Sequence, residues 1–283
     1  YILDRNGVAP NANEQGRKDV VFVLPNETVR FIGKFDDFAN SDIPYMYHCH
    51  ILTHEDGGMM GQFIVVDDNI NTCSTLQANL FLEGPYDIGN QTMRTDLAIG
   101  NLLSLSQPFN TAPWNYLGSE SIDNSLNGFN NLVDWILIEL RDSNDPNTII
   151  TQQAGLLRFD GALLDSDGSV GLCITEAVAD SSYYVVVRHS NHLDIMSATA
   201  ISLNNSIDFS IPAMVSGGTN QLSLLPNNTA AMIAGDFDAD GIITFDDFNR
   251  YLTQIGLSNY GGDANLNGTS NGNDFGLYRK NSI

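Results

Sequence analysis

Short runs of alternating apolar and polar residues, separated by turn residues, cover most of the first 225 positions. Within residues 1–68, runs of this kind predict strands at Tyr1–Arg5, Asp19–Leu24, Thr28–Phe35, Tyr45–His50 and Gln62–Val66. Short strands joined by turns are typical of a small β-sandwich or barrel, and we predict one here.

A second all-β pattern follows a polar linker at residues 69–75. The runs that predict its strands are Leu76–Leu82, Val133–Arg141, Ala154–Phe159 and Tyr183–His189. Residues 76–225 therefore predict a second β-sandwich, for which an accessory or carbohydrate-facing surface is our hypothesis. His189 and His192 within it lack a supporting pattern of Cys or acidic residues, so we interpret them as structural.

The last 52 residues, 232–283, change character. Two aspartate-rich loops open at Asp236 and Asp263, 27 residues apart, and each is followed by a short helical pattern, Phe248–Leu252 and Phe275–Arg279. This internal repeat predicts a small α module. The whole chain is then mainly β, with a helical module at its C-terminal end.

The charge balance excludes two classes of partner. With 12 Lys+Arg against 34 Asp+Glu, the net charge is −22, which repels nucleic-acid phosphates and anionic lipid headgroups. No apolar run approaches the roughly 18 residues of a membrane span. The chain opens inside a strand pattern without an initiator Met, and we expect it to be a fragment cut within a domain.

The three cysteines, Cys49, Cys73 and Cys173, are too few for a disulfide framework. Cys73 and Cys173 would pair in an exported protein, but we expect two separate buried thiols. Cys49 lies between two histidines, and this context indicates metal chemistry.

Residues 48–60 read His-Cys-His-Ile-Leu-Thr-His-Glu-Asp-Gly-Gly-Met-Met. Thiolate, imidazole and thioether are the ligands of a blue-copper centre, and Cys49, His54 and Met59 supply them at equal spacings of five. His48 and His50 flank Cys49 in an extended segment, so both face away from its metal and can bind a second metal group. The alternatives are packed core residues or a structural zinc site, although zinc has no use for a thioether.

At these residues the segment resembles the C-terminal cupredoxin domain of laccase-type multicopper oxidases, a Greek-key β-sandwich, here N-terminally truncated. Tyr45-Met46-Tyr47 and Gly58-Met59-Met60 also fit that family. The resemblance implies a type 1 copper bound by Cys49, His54 and Met59. It also implies that His48 and His50 each bind one type 3 copper of a trinuclear cluster.

The family's activity is one-electron oxidation of a small molecule or metal ion, coupled to four-electron reduction of O2 to water. The resemblance places a His-Pro-x-His-x-His run just before Tyr1, so we expect this chain alone to be incomplete and inactive. Glu55 and Asp56 are candidate proton donors to the cluster, or else solvated loop acids.

The acidic loops match calcium-ligand spacing. In the first loop, the ligand positions are filled by Asp236, Asp238, Asp240, the carbonyl of Ile242, and Asp247. The second loop keeps this register with fewer charges, at Asp263, Asn265, Asn267, Thr269 and Asp274. We predict calcium at both sites, more weakly at the second, with plain Asp-rich turns as the alternative.

Two loops, each with one helix and Asp at position 12, resemble a dockerin module. The helix starts hold Phe245-Asp246 and Gly272-Asn273 instead of the usual Ser-Thr pair, so a cohesin-like partner is a hypothesis only. Calcium loops suit a secreted, cell-surface or periplasmic protein. The rival interpretations are a single-copper cupredoxin electron carrier and a non-enzymatic adhesion or scaffold protein.

Overall fold

The computed structural model describes residues 1–35, 40–65, 73–122, 129–175, 177, 181–203, 205–257 and 261–282. The chain divides into two compact units, Tyr1–Asn71 and Thr72–Ile283. Both are rich in strands and hold few helices, so the prediction of a mainly β fold is confirmed. The predicted linker at residues 69–75 lies mostly outside the described residues.

The first unit is built from two antiparallel strand pairs. Its elements are β1 (Ile2–Arg5), a 3-10 turn (Ala12–Glu14), β2 (Val29–Phe31), β3 (Asn40–His48), α1 (Leu52–Glu55) and β4 (Met60–Val65). The strand β1 pairs with β2, and β3 pairs with β4. Helix α1 lies in the turn between β3 and β4, where the predicted metal ligands cluster.

The strand predicted at Asp19–Leu24 is wrong, because the structure has an irregular segment there. Four of its five apolar side chains are exposed, Phe22 to 68%. Among the described residues of the first unit, no strand pairs with this segment, and alternation without a partner ladder does not make a strand.

The second unit is organised around one antiparallel sheet. Its strands are β5 (Ser74–Leu76), β6 (Ala78–Asn79), β7 (Tyr86–Asp87), β8 (Thr92–Met93), β9 (Leu132–Asp142), β10 (Ile149–Arg158), β11 (Leu163–Leu164), β12 (Leu172–Ile174), β13 (Ser182–Arg188), β14 (Ile195–Met196), β15 (Ile201–Ser202), β16 (Ile207–Asp208), β17 (Ser223–Leu224) and β18 (Ala230–Ala231). The central sheet has the order β11-β10-β9-β13-β14, and β15 also pairs with β13. The run predicted as one strand over Leu76–Leu82 is therefore two short strands, broken at Gln77.

The helical elements of this unit are short. They are α2 (Asp96–Ile99), α3 (Phe245–Leu252) and α4 (Gly272–Asn281), with 3-10 turns at Phe129–Asn131, Pro212–Met214 and Gly218–Asn220. The helices α3 and α4 cover the two predicted helical patterns and extend beyond both. Each begins with a capping box, at Thr244 and at Asn271, which fixes its first residue.

Strand β9 separates two hydrophobic cores, since its first nine residues are buried. Ile136 and Ile138 face one core, whereas Trp135 and Leu137 face the other. This alternation is the pattern expected of a strand that is covered on both sides. The second unit is therefore a layered β structure around β9.

The C-terminal helix is fastened to the strand-rich part of the second unit through the buried carboxylate of Glu83. This carboxylate accepts hydrogen bonds from Ser223 Oγ (2.7 Å), the Ala234 amide (3.0 Å) and Asn281 Nδ2 (2.7 Å), and it pairs with Lys280. A buried carboxylate is tolerated when donors surround it in this way. These contacts join the strand-rich part of the second unit to the acidic-loop segment within one compact unit.

His189 and His192 lie at this junction and are fully buried. His192 Nε2 accepts from the Gly84 amide (3.3 Å), and His189 Nε2 faces Asp134 Oδ2 at 3.3 Å. The remaining Nδ1 atoms meet each other and Asn191. Burial lowers the pKa of His192 well below its usual value. Three of the four ring nitrogens therefore have hydrogen-bonding neighbours, whereas His189 Nε2 lies near Asp134 without a hydrogen bond among the described residues.

The expectation of two free thiols is wrong, because Cys73 and Cys173 form a disulfide with a Cα–Cα distance of 5.1 Å. Strand β12 pairs with β5, and the register places Cys173 opposite Thr75. The two cysteines are 100 residues apart in sequence, so only the folded sheet brings them together. Cys49 is the free cysteine of the described chain.

Candidate functional site

The segment from Cys49 to Met60 folds into a closed loop. The Cys49 amide donates to the Met59 carbonyl (3.0 Å), and the Met59 amide donates to the His54 carbonyl (2.9 Å). Gly58 makes the final turn with φ +85°, a conformation that favours glycine. These bonds hold the backbones of Cys49, His54 and Met59 close together, although the first and the last are ten positions apart in the sequence.

The thiol of Cys49 faces the imidazole of His54. The distance between Cys49 Sγ and His54 Nδ1 is 3.7 Å. The Ile51 amide also points at the sulfur, 3.5 Å away, and hydrogen bonds of this kind tune a blue-copper thiolate. Helix α1 positions His54, whose amide donates a hydrogen bond to the Ile51 carbonyl (2.8 Å) at the start of the helix.

His48 and His50 lie side by side at the end of β3. Their rings stack with centroids 4.9 Å apart and an interplanar angle of 13°, and both residues are exposed. Residues two apart in an extended segment share one side, while the residue between them faces the other. The two imidazoles are therefore grouped, as the sequence predicts.

Glu55 contacts the first of these imidazoles. Its Oε1 lies 3.3 Å from His48 Nδ1, so the helical turn that presents His54 to the thiol also presents Glu55 to His48. A carboxylate at one ring nitrogen leaves the other nitrogen free to bind a metal. The sequence placed Glu55 near the site but gave no signal of this pairing.

The structure says less about the roles of Met59 and Asp56. Met59 is 58% exposed and Met60 50%, so exposure does not separate them as ligands. Met60 belongs to β4 and lies opposite His48 in the ladder, whereas Met59 belongs to the loop. Asp56 ends helix α1 through its amide, which donates to the Leu52 carbonyl.

The first acidic loop gathers carboxylates. One oxygen each from Asp236, Asp238 and Asp240 lies within 4.8 Å of the others. Asp247 is held beside them, since its oxygens accept from the amides of Phe237 (2.7 Å) and Asp238 (3.2 Å) in the loop and of Thr244 (2.7 Å). The Ile242 amide donates to Asp240 Oδ1 (2.9 Å), which curls the loop around the acids.

The second loop repeats this hydrogen bonding with an offset of 27 residues. Asp263 accepts from the amides of Asn267 (3.0 Å) and Gly268 (2.6 Å), as Asp236 does from Asp240 and Gly241. Asp274 closes onto the loop through the amide of Asn265 (3.0 Å). The other two predicted ligand residues of this loop contact each other, because the side chain of Asn267 accepts from the amide of Thr269.

Burial and neighbouring carboxylates disfavour the ionised forms of the acids in both loops. Burial, and then the neighbouring Asp247 carboxylate, raise the pKa of Asp236 to about 8. Burial likewise raises the pKa of Asp263 to about 6, and it raises the pKa values of Asp247 and Asp274. A bound cation would place positive charge beside these carboxyls and favour their ionised form, which is the form that binds a metal.

Comparison with known proteins concerns the first unit. Residues 2–69 match the sequence profile of the multicopper oxidase family. A laccase from Haloferax volcanii is 34% identical over 93 residues, which cover 32% of this chain and 16% of that protein. The multicopper oxidase mco from Staphylococcus aureus is 39% identical over 64 residues, which cover 23% of this chain and 13% of that protein.

The matched segment thus spans less than a fifth of these relatives' length. It supports a cupredoxin-like multicopper oxidase domain at the start of the chain. A type II cohesin–X–dockerin complex from Acetivibrio cellulolyticus overlaps 74% of this chain and 94% of its own, with 13% identity and a TM-score of 0.34. A TM-score this low supports no conclusion about the present chain. In the part of the chain that the structure describes, no helix is long and apolar enough to cross a membrane.

Proposed function

We propose that residues 1–68 are the C-terminal part of a laccase-type multicopper oxidase domain. In this proposal Cys49, His54 and Met59 bind a type 1 copper, and His48 and His50 bind coppers of a trinuclear cluster. The observation that carries the proposal is the 3.7 Å separation of Cys49 Sγ from His54 Nδ1, beside the paired imidazoles of His48 and His50.

The donor set fits copper. Metal–sulfur and metal–nitrogen bonds of about 2.3 and 2.0–2.1 Å add up to more than the observed separation, so one ion can bond to both atoms. Thiolate and imidazole with a thioether nearby favour copper over the hard cations. Met59 is attached to this pair by the backbone bonds of its amide and carbonyl.

Bound copper would supply one-electron oxidation of a small-molecule or metal-ion donor and reduction of O2 to water. The chain itself would supply the path for electrons between the two copper sites, because the Cys49 backbone joins the thiolate covalently to both flanking histidines. In this proposal Glu55, which contacts His48 Nδ1 at 3.3 Å, orients that imidazole and is the candidate proton donor beside it. A single-copper electron carrier has no use for His48 and His50, so their pairing favours the oxidase.

The whole proposal is tested with the full-length gene product. We expect several coppers per chain and O2 consumption when a phenol is the electron donor. A single copper without O2 consumption would identify the electron carrier instead. A protein that binds no copper would favour the adhesion or scaffold interpretation.

We expect Glu55→Gln in the copper-loaded full-length product to lower O2 turnover by about 10–100-fold, the usual effect of losing a partner of a metal-bound histidine. The type 1 absorption should persist, because Glu55 contacts His48 and not the thiolate. Asp56→Asn makes the same change at the other candidate acid, for which the structure describes no contact with His48, and should change turnover less than about twofold. Unchanged turnover in Glu55→Gln would remove the proposed role.

We expect Met59→Leu to raise the reduction potential of the type 1 copper while the blue absorption remains, because a thioether is a weak axial ligand. Redox titration followed by visible absorption measures both properties. Met60→Leu makes the same change one residue away and should leave the potential unaltered. A shift in Met60→Leu alone would reassign the axial ligand.

A second function is proposed for the acidic loops, namely calcium binding in a dockerin-like module. The observation that favours it is the gathering of Asp236, Asp238 and Asp240 within 4.8 Å. The matching bonds of the second loop support a weaker second site, since Asn265 and Asn267 replace two carboxylates.

We expect calcium to raise the free energy of unfolding of the second unit by about 2.7 kcal/mol when its concentration is 100 times the dissociation constant. Asp236→Asn should remove most of this gain, because it removes a buried ligand at position 1. Asp246→Asn, on the exposed start of α3, is the matched control. Denaturant unfolding with calcium or with chelator measures the difference, and an unchanged gain in Asp236→Asn would contradict the site.

These proposals agree with a secreted, cell-surface or periplasmic location, where calcium is abundant and disulfides such as Cys73–Cys173 persist. A cohesin-like protein stays a candidate partner for the acidic-loop segment. Its binding to the purified protein would be measured directly by calorimetry.

A further inference from the structure

The backbone of the second acidic loop is bonded to side chains of the strand-rich part of the second unit. The carbonyl of Asp263 accepts a hydrogen bond from the buried Asn191 Nδ2 (2.9 Å), and the carbonyl of Asn265 accepts one from Arg94 Nη2 (3.0 Å). The two donors are 72 and 171 positions away from their acceptors in the sequence. The folded unit, and not the loop motif alone, therefore fixes the start of this loop.

The backbone between these two carbonyls packs directly on Gly84. A Cβ atom added at Gly84 would lie only 1.8 Å from the Ala264 carbonyl oxygen, so the close approach requires glycine. Ala264 is fully buried, and the Gly84 amide is itself bonded to His192 of the strand-rich part. The loop and the strand-rich part are thus in direct contact along the main chain.

Leu266, the fourth residue of the loop, packs in the larger of the two hydrophobic cores. It is 1% exposed and shares this core with Ile136 and Ile138 of β9. Its φ of +52° is in the left-handed region, and a leucine stays in that conformation only where its surroundings fix it. Ala239, the equivalent residue of the first loop, is also buried but is not part of this core.

The first loop is held in a different way. Among the described residues, the hydrogen bonds of residues 236–247 stay within residues 236–278. A bond to the strand-rich part lies just before this loop, where the Gly235 amide donates to the Asn191 carbonyl (3.0 Å). The contacts of Arg94 and Leu266 therefore distinguish the second loop from the first.

Calcium affinity depends on the rigidity of a loop as well as on the charge of its ligands. The second loop has two carboxylates among its predicted ligands, where the first has four, and a loop that is already fixed loses less freedom on binding. We propose that Asn191, Arg94 and Leu266 position the second loop for calcium, so that calcium bound there is coupled to the strand-rich part. The inference rests on the calcium binding proposed above. Coupling is reciprocal, so calcium in turn stabilises these contacts.

Calorimetric titration of the full-length gene product with calcium chloride tests the first direction of this coupling. Asp236→Asn isolates the second loop, Asp263→Asn isolates the first, and the double variant gives the background. In these proteins Arg94→Gln should weaken calcium binding at the second loop about threefold to tenfold, the effect of losing one hydrogen bond. It should change the dissociation constant of the first loop less than about twofold.

Arg158→Gln is the matched control for Arg94→Gln. Both arginines pair with an aspartate two positions away, but the described contacts of Arg158 stay within the strand-rich part. We expect Arg158→Gln to leave the dissociation constants of both loops unchanged. Thermal unfolding of each variant checks that it is folded.

Hydrogen exchange tests the reverse direction and needs no change at Arg94. The reporters are the amides of Gly84 and of Leu102, whose side chain packs on Gly268 of the loop. In Asp236→Asn, calcium at 100 times the dissociation constant of the second loop should slow their exchange about tenfold or more. Openings that release calcium become up to about 100-fold rarer at this concentration. In Asp263→Asn the same addition should leave both rates unchanged.

Three results would overturn the coupling while calcium still binds at the second loop. They are an unchanged second-loop constant in Arg94→Gln, an equal weakening of both loops, and unprotected Gly84 and Leu102 amides. Equal calcium binding by the native protein and by the Asp236→Asn/Asp263→Asn double variant would instead contradict the calcium sites themselves, and the coupling with them.

Discussion

Replacing Cys49 by Ser is expected to abolish the blue absorption of the copper-loaded full-length gene product and to lower its O2 consumption by more than about 100-fold. Loss of a second-sphere partner of a metal ligand already costs about 10–100-fold, and a direct ligand costs more. The absorption depends on the thiolate, and Cys49 is the only free cysteine in the described chain. Visible spectroscopy and an oxygen electrode measure the two effects.

The Cys73→Ser/Cys173→Ser double variant is the control for Cys49→Ser, because it removes sulfur from the second unit only. It should keep the blue absorption. A Cys49→Ser protein that stays blue would show that another sulfur, or no sulfur, binds the copper. The account of the first unit would then be wrong.

Removing the Cys73–Cys173 disulfide is expected to lower the free energy of unfolding of the second unit by about 3–5 kcal/mol. The bond closes a loop of 100 residues, and cross-linking so long a segment strongly restricts the unfolded chain. Urea unfolding of the Cys73→Ser/Cys173→Ser variant, compared with the native protein, measures the loss. In this experiment Cys49→Ser is the control and should unfold like the native protein.

Thiol labelling gives an independent check of the same disulfide. Under denaturing, non-reducing conditions the native chain should expose one reactive thiol, that of Cys49. Three reactive thiols would mean that the disulfide does not form. The predicted loss of stability would then have no basis.

The closed loop from Cys49 to Met60 could be predicted from the sequence because its residues are local. Cys49, His54 and Met59 lie within eleven positions, so their spacing alone restricts the geometry, and the structure brings the first two together. The alternation that predicts the grouping of His48 and His50 is equally local. The acidic loops share this property, since each fits within twelve residues.

The features that sequence reasoning missed depend on distant contacts. The disulfide joins residues 100 positions apart, and Glu83 binds the C-terminal helix from almost 200 positions away. The strand predicted at Asp19–Leu24 has a suitable pattern but lacks a partner strand among the described residues.

Copper-edge X-ray absorption of the full-length gene product tests the central claim most directly. The account predicts one short copper–sulfur bond together with imidazole nitrogens, and the loss of that sulfur in Cys49→Ser. Copper bound by nitrogen and oxygen alone in the native protein would contradict it.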